Sequence, residues 1–212
     1  MPIGVPQIPY HIPGDEESSW IDLYNGLYRE RALFLFQDLN DDMTSQVVGL
    51  MIFLTLEDGD LDQFLLINSP GGSVYNGMAI HNTIVLVDPD INTVGMGMAA
   101  SMAAFILAAG TQTKRIAFPN ARVMIHQPRA KHFAGYMDEV LVDADEVLRI
   151  RNEITQFFAS RAQKPFWMVH EDMERDVFMT PSEAKAYGIV DAVGIVDPAK
   201  FENNENENTN NN

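Results

Sequence analysis

Three stretches of the chain place candidate reactive groups after a short strand-like run. Phe64–Ile67 is followed by Asn68-Ser-Pro-Gly-Gly72, Ile91–Val94 by Gly95-Met-Gly-Met-Ala-Ala-Ser101, and Ala121–Ile125 by His126-Gln-Pro128. Open α/β sheets form their sites beyond the carboxyl ends of strands, so these positions are the first to consider. Ser101 opens an apolar, helix-like segment, where its alcohol could attack an acyl carbon while the Met102 amide points at the developing oxyanion. The plainer reading is a serine in a stripe of small packing residues. His126 can offer an imidazole to a cleft as general base. Gly71-Gly72 can take backbone angles closed to other residues and present amide donors at a helix start, or simply make a turn.

A carboxylate that orients the imidazole would complete a triad. Glu171-Asp-Met-Glu-Arg-Asp176 holds several candidates and Asp191 is another; residue type alone leaves the choice open. Of the five histidines, His81 lies on the inner side of a predicted helix and reads as a core residue, while His11, His132 and His170 fall in arm, loop or polar surroundings. The chain has no cysteine, which removes disulfides, thiolate metal sites and a cysteine nucleophile. No HExxH pair is present, so a metal site is not expected, and neither GxGxxG nor GxxxxGK[ST] occurs. Ser101 stands in Ala99-Ala-Ser-Met-Ala103 rather than GxSxG, which speaks against an α/β-hydrolase.

The elements that must position these residues alternate between strand and helix. Ala32–Phe36, Phe64–Ile67 and Ala121–Ile125 read as strands covered on both faces. Val47, Leu50, Met51 and Leu54 fall at i, i+3, i+4 and i+7, with an N-cap expected within Asp42–Ser45. Helices are predicted over Gly72–Leu86 and Ala99–Ala109, the second apolar all round and closed by Gly110. A long helix is predicted over Tyr136–Arg161, with more apolar surface than one small core needs, which suggests a subunit contact. The order predicts a layered α/β domain with right-handed crossovers. Ile91–Thr113 carries no charge and is long enough to span a bilayer, but Gly95-Met-Gly97 divides it into strand-like and helix-like parts, so it reads as buried core.

With 212 residues, 46% of them hydrophobic, the chain can fold as one domain with appendages. Its formal charge of −16 repels phosphate backbones and anionic lipid, so neither nucleic acid nor a membrane surface is an expected partner. Residues 1–19, with Pro2, Pro6, Pro9 and Pro13, read as an extended arm without a secretory or transit signal; residues 197–212, ending in the Asn-rich Asn203–Asn212, read as a solvated tail.

Taken together, Tyr28-Arg-Glu-Arg31, Ile67-Asn-Ser-Pro-Gly-Gly72, Met96–Met102, Arg122-Val-Met-Ile-His-Gln-Pro128, Glu174-Arg-Asp176 and Tyr187-Gly-Ile-Val-Asp191 resemble the Clp protease proteolytic subunit, ClpP, in the right order from about residue 20 to residue 193. The resemblance implies the layered α/β fold shared with crotonases, built of β-β-α-like units, with a peptidase domain over 20–196 in which 129–161 form a ring-contact strand and a protruding handle helix. It implies Ser101 as nucleophile, His126 as base, Asp176 as orienting acid, and Gly72 and Met102 as oxyanion donors. It further implies stacked pairs of seven-membered rings, homo- or hetero-oligomeric, that hydrolyse unfolded proteins delivered by a Clp-type AAA+ ATPase docking at Phe64, Leu66 and Leu86. The arm would line the axial entrance, no cofactor would be needed, and ATP would be used by the partner.

Ile3-Gly-Val-Pro6, Ile12-Pro-Gly-Asp-Glu-Glu17 and Trp20-Ile-Asp-Leu-Tyr24 look most like the plastid-encoded form, which implies the chloroplast stroma, with a bacterial cytoplasm as the alternative. The sequence departs from the family at Phe36 and Ala103, where glycine is usual, and over 129–135, where the family is glycine-rich. No triad position is lost, but a catalytically weak or structural subunit of a mixed ring is the alternative function.

Overall fold

The computed structural model describes residues 4–10, 19–129 and 135–194. The tail, residues 1–3 and 11–18 of the arm and residues 130–134 of the expected ring-contact strand lie outside the described residues.

A short antiparallel hairpin, β1 (Gln7–Tyr10) with β2 (Ser19–Asp22), leads into α1 (Leu23–Arg29). The main sheet then places β3 (Ala32–Leu35), β4 (Gln63–Ser69), β5 (Ile91–Ala100), β6 (Arg115–Ala117) and β9 (Ala192–Val193) in parallel order. β5 changes partner along its length. Thr93–Gly95 pair with β6, whereas Met98–Ala100 pair with β7 (Arg122–Ile125), which continues antiparallel into β8 (Val177–Met179). The glycines at 95 and 97 therefore do not end the strand: β5 runs through both, and the helix expected from Ala99 begins only at Met102. The uncharged stretch is half strand and half core helix, and among the described residues no helix is long and apolar enough to cross a membrane.

Helix α2 (Asp41–Glu57) is capped two residues before the earliest cap expected within Asp42–Ser45, because the Asn40 side chain accepts the Met43 amide and Asp41 and Asp42 fill the first turn. Val47, Met51 and Leu54 are buried as the pattern requires. At its far end the buried Arg31 guanidinium donates to the carbonyls of Leu54, Asp58 and Leu61. Helix α3 (Val74–Leu86) is capped by Ser73. Helix α4 (Met102–Ala109) packs on β4, β5 and β7 and against α3, so all eight of its residues are buried.

Helix α5 (Met137–Ala162) divides into two halves. Ile150, Ile154 and Phe158 enter the core, while Met137, Leu141, Val142 and Leu148 are exposed. Helices α6 (Phe166–Asp172) and α7 (Pro181–Tyr187) follow, the latter opened by a Thr180–Glu183 capping box with Pro181 at its first position. Contrary to expectation, β3, β4 and β7 are not covered on both faces: Phe34 in β3, Phe64 and Leu66 in β4, and Arg122 and Met124 in β7 are partly or fully exposed. Leu65 and Ile67 are fully buried, but Phe64 and Leu66 alternate onto a half-exposed face, next to Phe34 of β3. Phe34 there meets Tyr24, Tyr28 and Phe36, so Phe36 continues an aromatic row.

Candidate active site

Strand register brings three distant residues to one place. β5 and β7 pair Ala100 with Met124, and the Ser101 amide extends the pairing by donating to the Met124 carbonyl at 2.8 Å. β7 and β8 run antiparallel with Ile125 opposite Val177, so the next cross-strand pair is His126 with Asp176. The side chains complete what the backbone sets up. His126 Nε2 lies 2.9 Å from Ser101 Oγ, and His126 Nδ1 lies 3.0 Å from Asp176 Oδ1. The His126 side chain is 15% exposed and Asp176 41%, an imidazole mostly out of water with its acid at the rim.

Ser101 has φ 56° and ψ −124°, a conformation costly for a non-glycine residue, held by β5 on one side and α4 on the other. It is a sharp strand-to-helix turn of the kind that can present a nucleophile, formed here without GxSxG flanks. Gly71, at φ +94°, packs against it, and Gly72 follows at φ +154°. A Cβ on Gly72 would strike Leu39, whose amide donates to the Gly71 carbonyl and whose carbonyl accepts from Ser73. The amides of Gly72 and Met102 donate to no protein acceptor among the described residues, so both can receive an oxyanion. Ala103 is fully buried in the core, so its methyl group belongs to helix packing.

Asp191 belongs elsewhere. It forms an ion pair with Arg115 at 2.6 Å, and among the acids left open by the sequence only Asp176 touches His126. His81 packs between Phe105 and Phe157, and burial pushes its pKa down. Leu86 ends α3, 73% exposed.

Two contacts were not anticipated. Arg129 donates to the same Asp176 oxygen that His126 uses, at 2.5 Å. Glu174, two residues before Asp176, is held by Arg151 of α5 and accepts from the Gln127 side chain. Basic residues close after His126 and within the long helix were the available signal, but their partners depend on the β7–β8 register. Among the described residues no group of three or more His, Asp or Glu side chains is placed to hold a metal ion.

Comparison with known proteins gives a match to the Clp protease family over residues 14–197. ATP-dependent Clp protease proteolytic subunits of Sorghum bicolor, Oryza sativa subsp. japonica and Hordeum vulgare are each 56% identical over 194 residues, covering 92% of this chain and 90% of each relative.

Proposed function

As a member of the Clp protease family, to which it belongs over most of its length, this chain is a serine-type peptidase, and we propose that it cleaves unfolded proteins as the proteolytic subunit of an ATP-dependent Clp protease. The unbroken chain of contacts from Ser101 through His126 to Asp176 carries this reading. His126 Nε2 removes the Ser101 proton as Oγ attacks the scissile carbonyl carbon. The oxyanion of the tetrahedral intermediate settles against the Gly72 and Met102 amides. His126 then returns the proton to the departing amine, leaving an acyl-serine, and hydrolysis repeats the sequence with water as nucleophile. Asp176 keeps the imidazole in the tautomer with a proton on Nδ1 and stabilises the imidazolium.

No side chain in this mechanism uses a cofactor; ATP is spent by a separate AAA+ unfoldase. The half-exposed Phe64 and Leu66 and the exposed Leu86 supply apolar surface for that partner. The exposed apolar half of α5 supports double heptameric rings, homo- or hetero-oligomeric, with the peptidase sites inside. Plant relatives and the opening motifs favour the chloroplast stroma.

The test is intact mass after treating the native assembly with a fluorophosphonate, beside the Ser101→Ala form. A single adduct lost in the variant, together with loss of peptide hydrolysis, is expected. Hydrolysis by Ser101→Ala rings at the unmodified rate would overturn the reading, and absence of any adduct in intact rings would favour the structural-subunit alternative.

A further inference from the structure

We propose that Arg129 is a positioning residue for this peptidase site, holding the Asp176 carboxylate in the rotamer that His126 requires. The inference rests on the triad reading and adds a residue to it.

Asp176 is poorly restrained by its surroundings. Its side chain is 41% exposed, and among the described residues the only side chains that donate to it are His126 and Arg129. A carboxylate at a wet rim can rotate toward water and leave the imidazole without its partner. Arg129 Nη2 closes that escape by donating to Oδ1 at 2.5 Å, the oxygen that also faces His126 Nδ1 at 3.0 Å. One oxygen can accept both bonds, because a carboxylate oxygen has two lone pairs. With two donors fixed in direction, the carboxylate plane is set by contacts on both sides rather than by the histidine alone.

Arg129 is itself held in place by the chain that carries it. After β7 the backbone stays stitched to the loop entering β8: the Gln127 amide donates to the Met173 carbonyl at 2.8 Å, and the Gln127 side chain reaches the Glu174 carbonyl at 3.3 Å. Arg129 is the last contact in that series.

The guanidinium has two opposing effects. Its charge draws on the carboxylate that must stabilise the imidazolium, which would slow the reaction; its hydrogen bond fixes the geometry, which would speed it. The Arg129 side chain is 66% exposed, so water and salt screen the charge, whereas the direct bond does not depend on long-range field. Positioning therefore prevails, and loss of the head group lowers turnover.

The test compares Arg129→Gln and Arg129→Lys rings, purified as intact assemblies, for kcat and KM on a short fluorogenic peptide and for the rate of Ser101 labelling by a fluorophosphonate. Each substitution is repeated on Asp176→Asn. Arg129→Gln is expected to lower kcat and the labelling rate about threefold to tenfold with KM unchanged, as one charged hydrogen bond would. Arg129→Lys should recover at least half of the loss. On Asp176→Asn, Arg129→Gln should change labelling less than about twofold, because the partner it positions is already lost.

An equal loss in both backgrounds, an unchanged kcat, or a raised KM with normal kcat would each overturn the inference. If Arg129→Gln weakens the rings, Arg129→Met, which keeps the apolar stem, is read by the same outcomes. Failure here is distinct from failure of the triad reading. Loss of activity in Ser101→Ala with no effect of Arg129 variants sinks only the positioning role, while activity in Ser101→Ala sinks the triad.

Discussion

A Cβ on Gly71 would lie 2.9 Å from the Ser101 Cβ, 2.7 Å from the Ala100 carbonyl oxygen and 3.0 Å from the Met102 amide nitrogen. Two of those three neighbours are backbone atoms, which cannot rotate aside, and Gly71 has φ +94°. The glycine is thus the wall of the turn that carries Ser101 and adjoins Gly72, whose amide is the proposed oxyanion donor. Gly71→Ala must push the 71–72 turn away from the Met102 amide or twist Ser101 out of its conformation. Peptide hydrolysis is expected to fall by about 100-fold, the loss typical of removing one oxyanion donor. Gly49→Ala, in the middle of α2 with nothing within 4 Å of the added methyl, is the control. It should keep full activity and stabilise the fold by about 0.5–1 kcal/mol. Assay and thermal melt of both variants decide the matter; an active Gly71→Ala would show that the turn has room the geometry denies it.

Asp191 and Arg115 tie β6 to the segment entering β9, with Arg115 only 5% and Asp191 21% exposed at their side chains. Burial alone would raise the Asp191 pKa, but the hydrogen bonds and charge of Arg115 outweigh it and hold the carboxyl below its usual range. A lowered folded value means stability that is fully present above the unfolded pKa of about 3.9 and lost as pH falls through the folded value. Asp191→Ala strands a buried guanidinium and should destabilise by about 3 kcal/mol. Denaturant melts at neutral pH measure that loss. Acid titration of the same two proteins should show wild type losing its advantage below about pH 4, and an undiminished gap at lower pH would contradict the pairing.

Much of the site was legible because the strands end where the chemistry begins. His126 directly follows a strand whose Val123 and Ile125 are buried, and Ser101 follows the end of β5, where Ala99 and Ala100 are buried. The acid was not legible from residue types: Asp172, Asp176 and Asp191 are equally acidic in the sequence, and only the antiparallel β7–β8 register sets Asp176 across from His126. The end of β5 was misread for a related reason. Gly95 and Gly97 look like breakers, yet a Cβ on Gly97 would lie 2.5 Å from Asn68 Oδ1, the acceptor of the Met98 amide at 2.9 Å. Gly97 permits a close approach inside a strand rather than ending it. The Arg129 contact depends on two segments far apart in sequence, and no local pattern encodes it.

His81 sits between Phe105 and Phe157 at ring separations of 5.2 and 5.1 Å, facing α4 and α5 from α3. Desolvation lowers its pKa, the Asn82 hydrogen bond acts the other way, and the nearby Arg161 charge adds to the lowering. The folded protein therefore prefers the neutral ring. The resulting stability is complete above about pH 6.5, the unfolded value, and declines as pH falls through the lowered folded value. Melting midpoints of wild type and His81→Leu at matched protein concentration should converge or cross as pH drops from 7.5 toward 5, since the variant has no ring to protonate. Parallel pH curves for the two proteins would mean that His81 gains a proton without disturbing the aromatic cluster.

Arg31 is 6% exposed and has no carboxylate partner among the described residues; its guanidinium serves backbone carbonyls instead, at 2.9 Å to Leu61, 3.0 Å to Leu54 and 2.8 Å to Asp58. These carbonyls belong to the C-terminus of α2 and the turn leading to β4, where the helix dipole favours a cation. The planar fork reaches all three at once, which a lysine ammonium on a single stem cannot do in the same geometry. Arg31→Lys should lower stability by about 1–2 kcal/mol, and Arg31→Met by about 3 kcal/mol, because it also leaves the buried carbonyls unpaired. For a chain of this size each kcal/mol corresponds to roughly 2–4 °C in Tm. The Ser101 labelling rate in assembled rings should stay unchanged at a temperature where both variants are folded, since the Arg31 guanidinium bonds only to the Leu54, Asp58 and Leu61 carbonyls among the described residues, none of them in the site. A slowed labelling rate at full assembly would instead show that the α2 end and the Gly71-Gly72 turn move together.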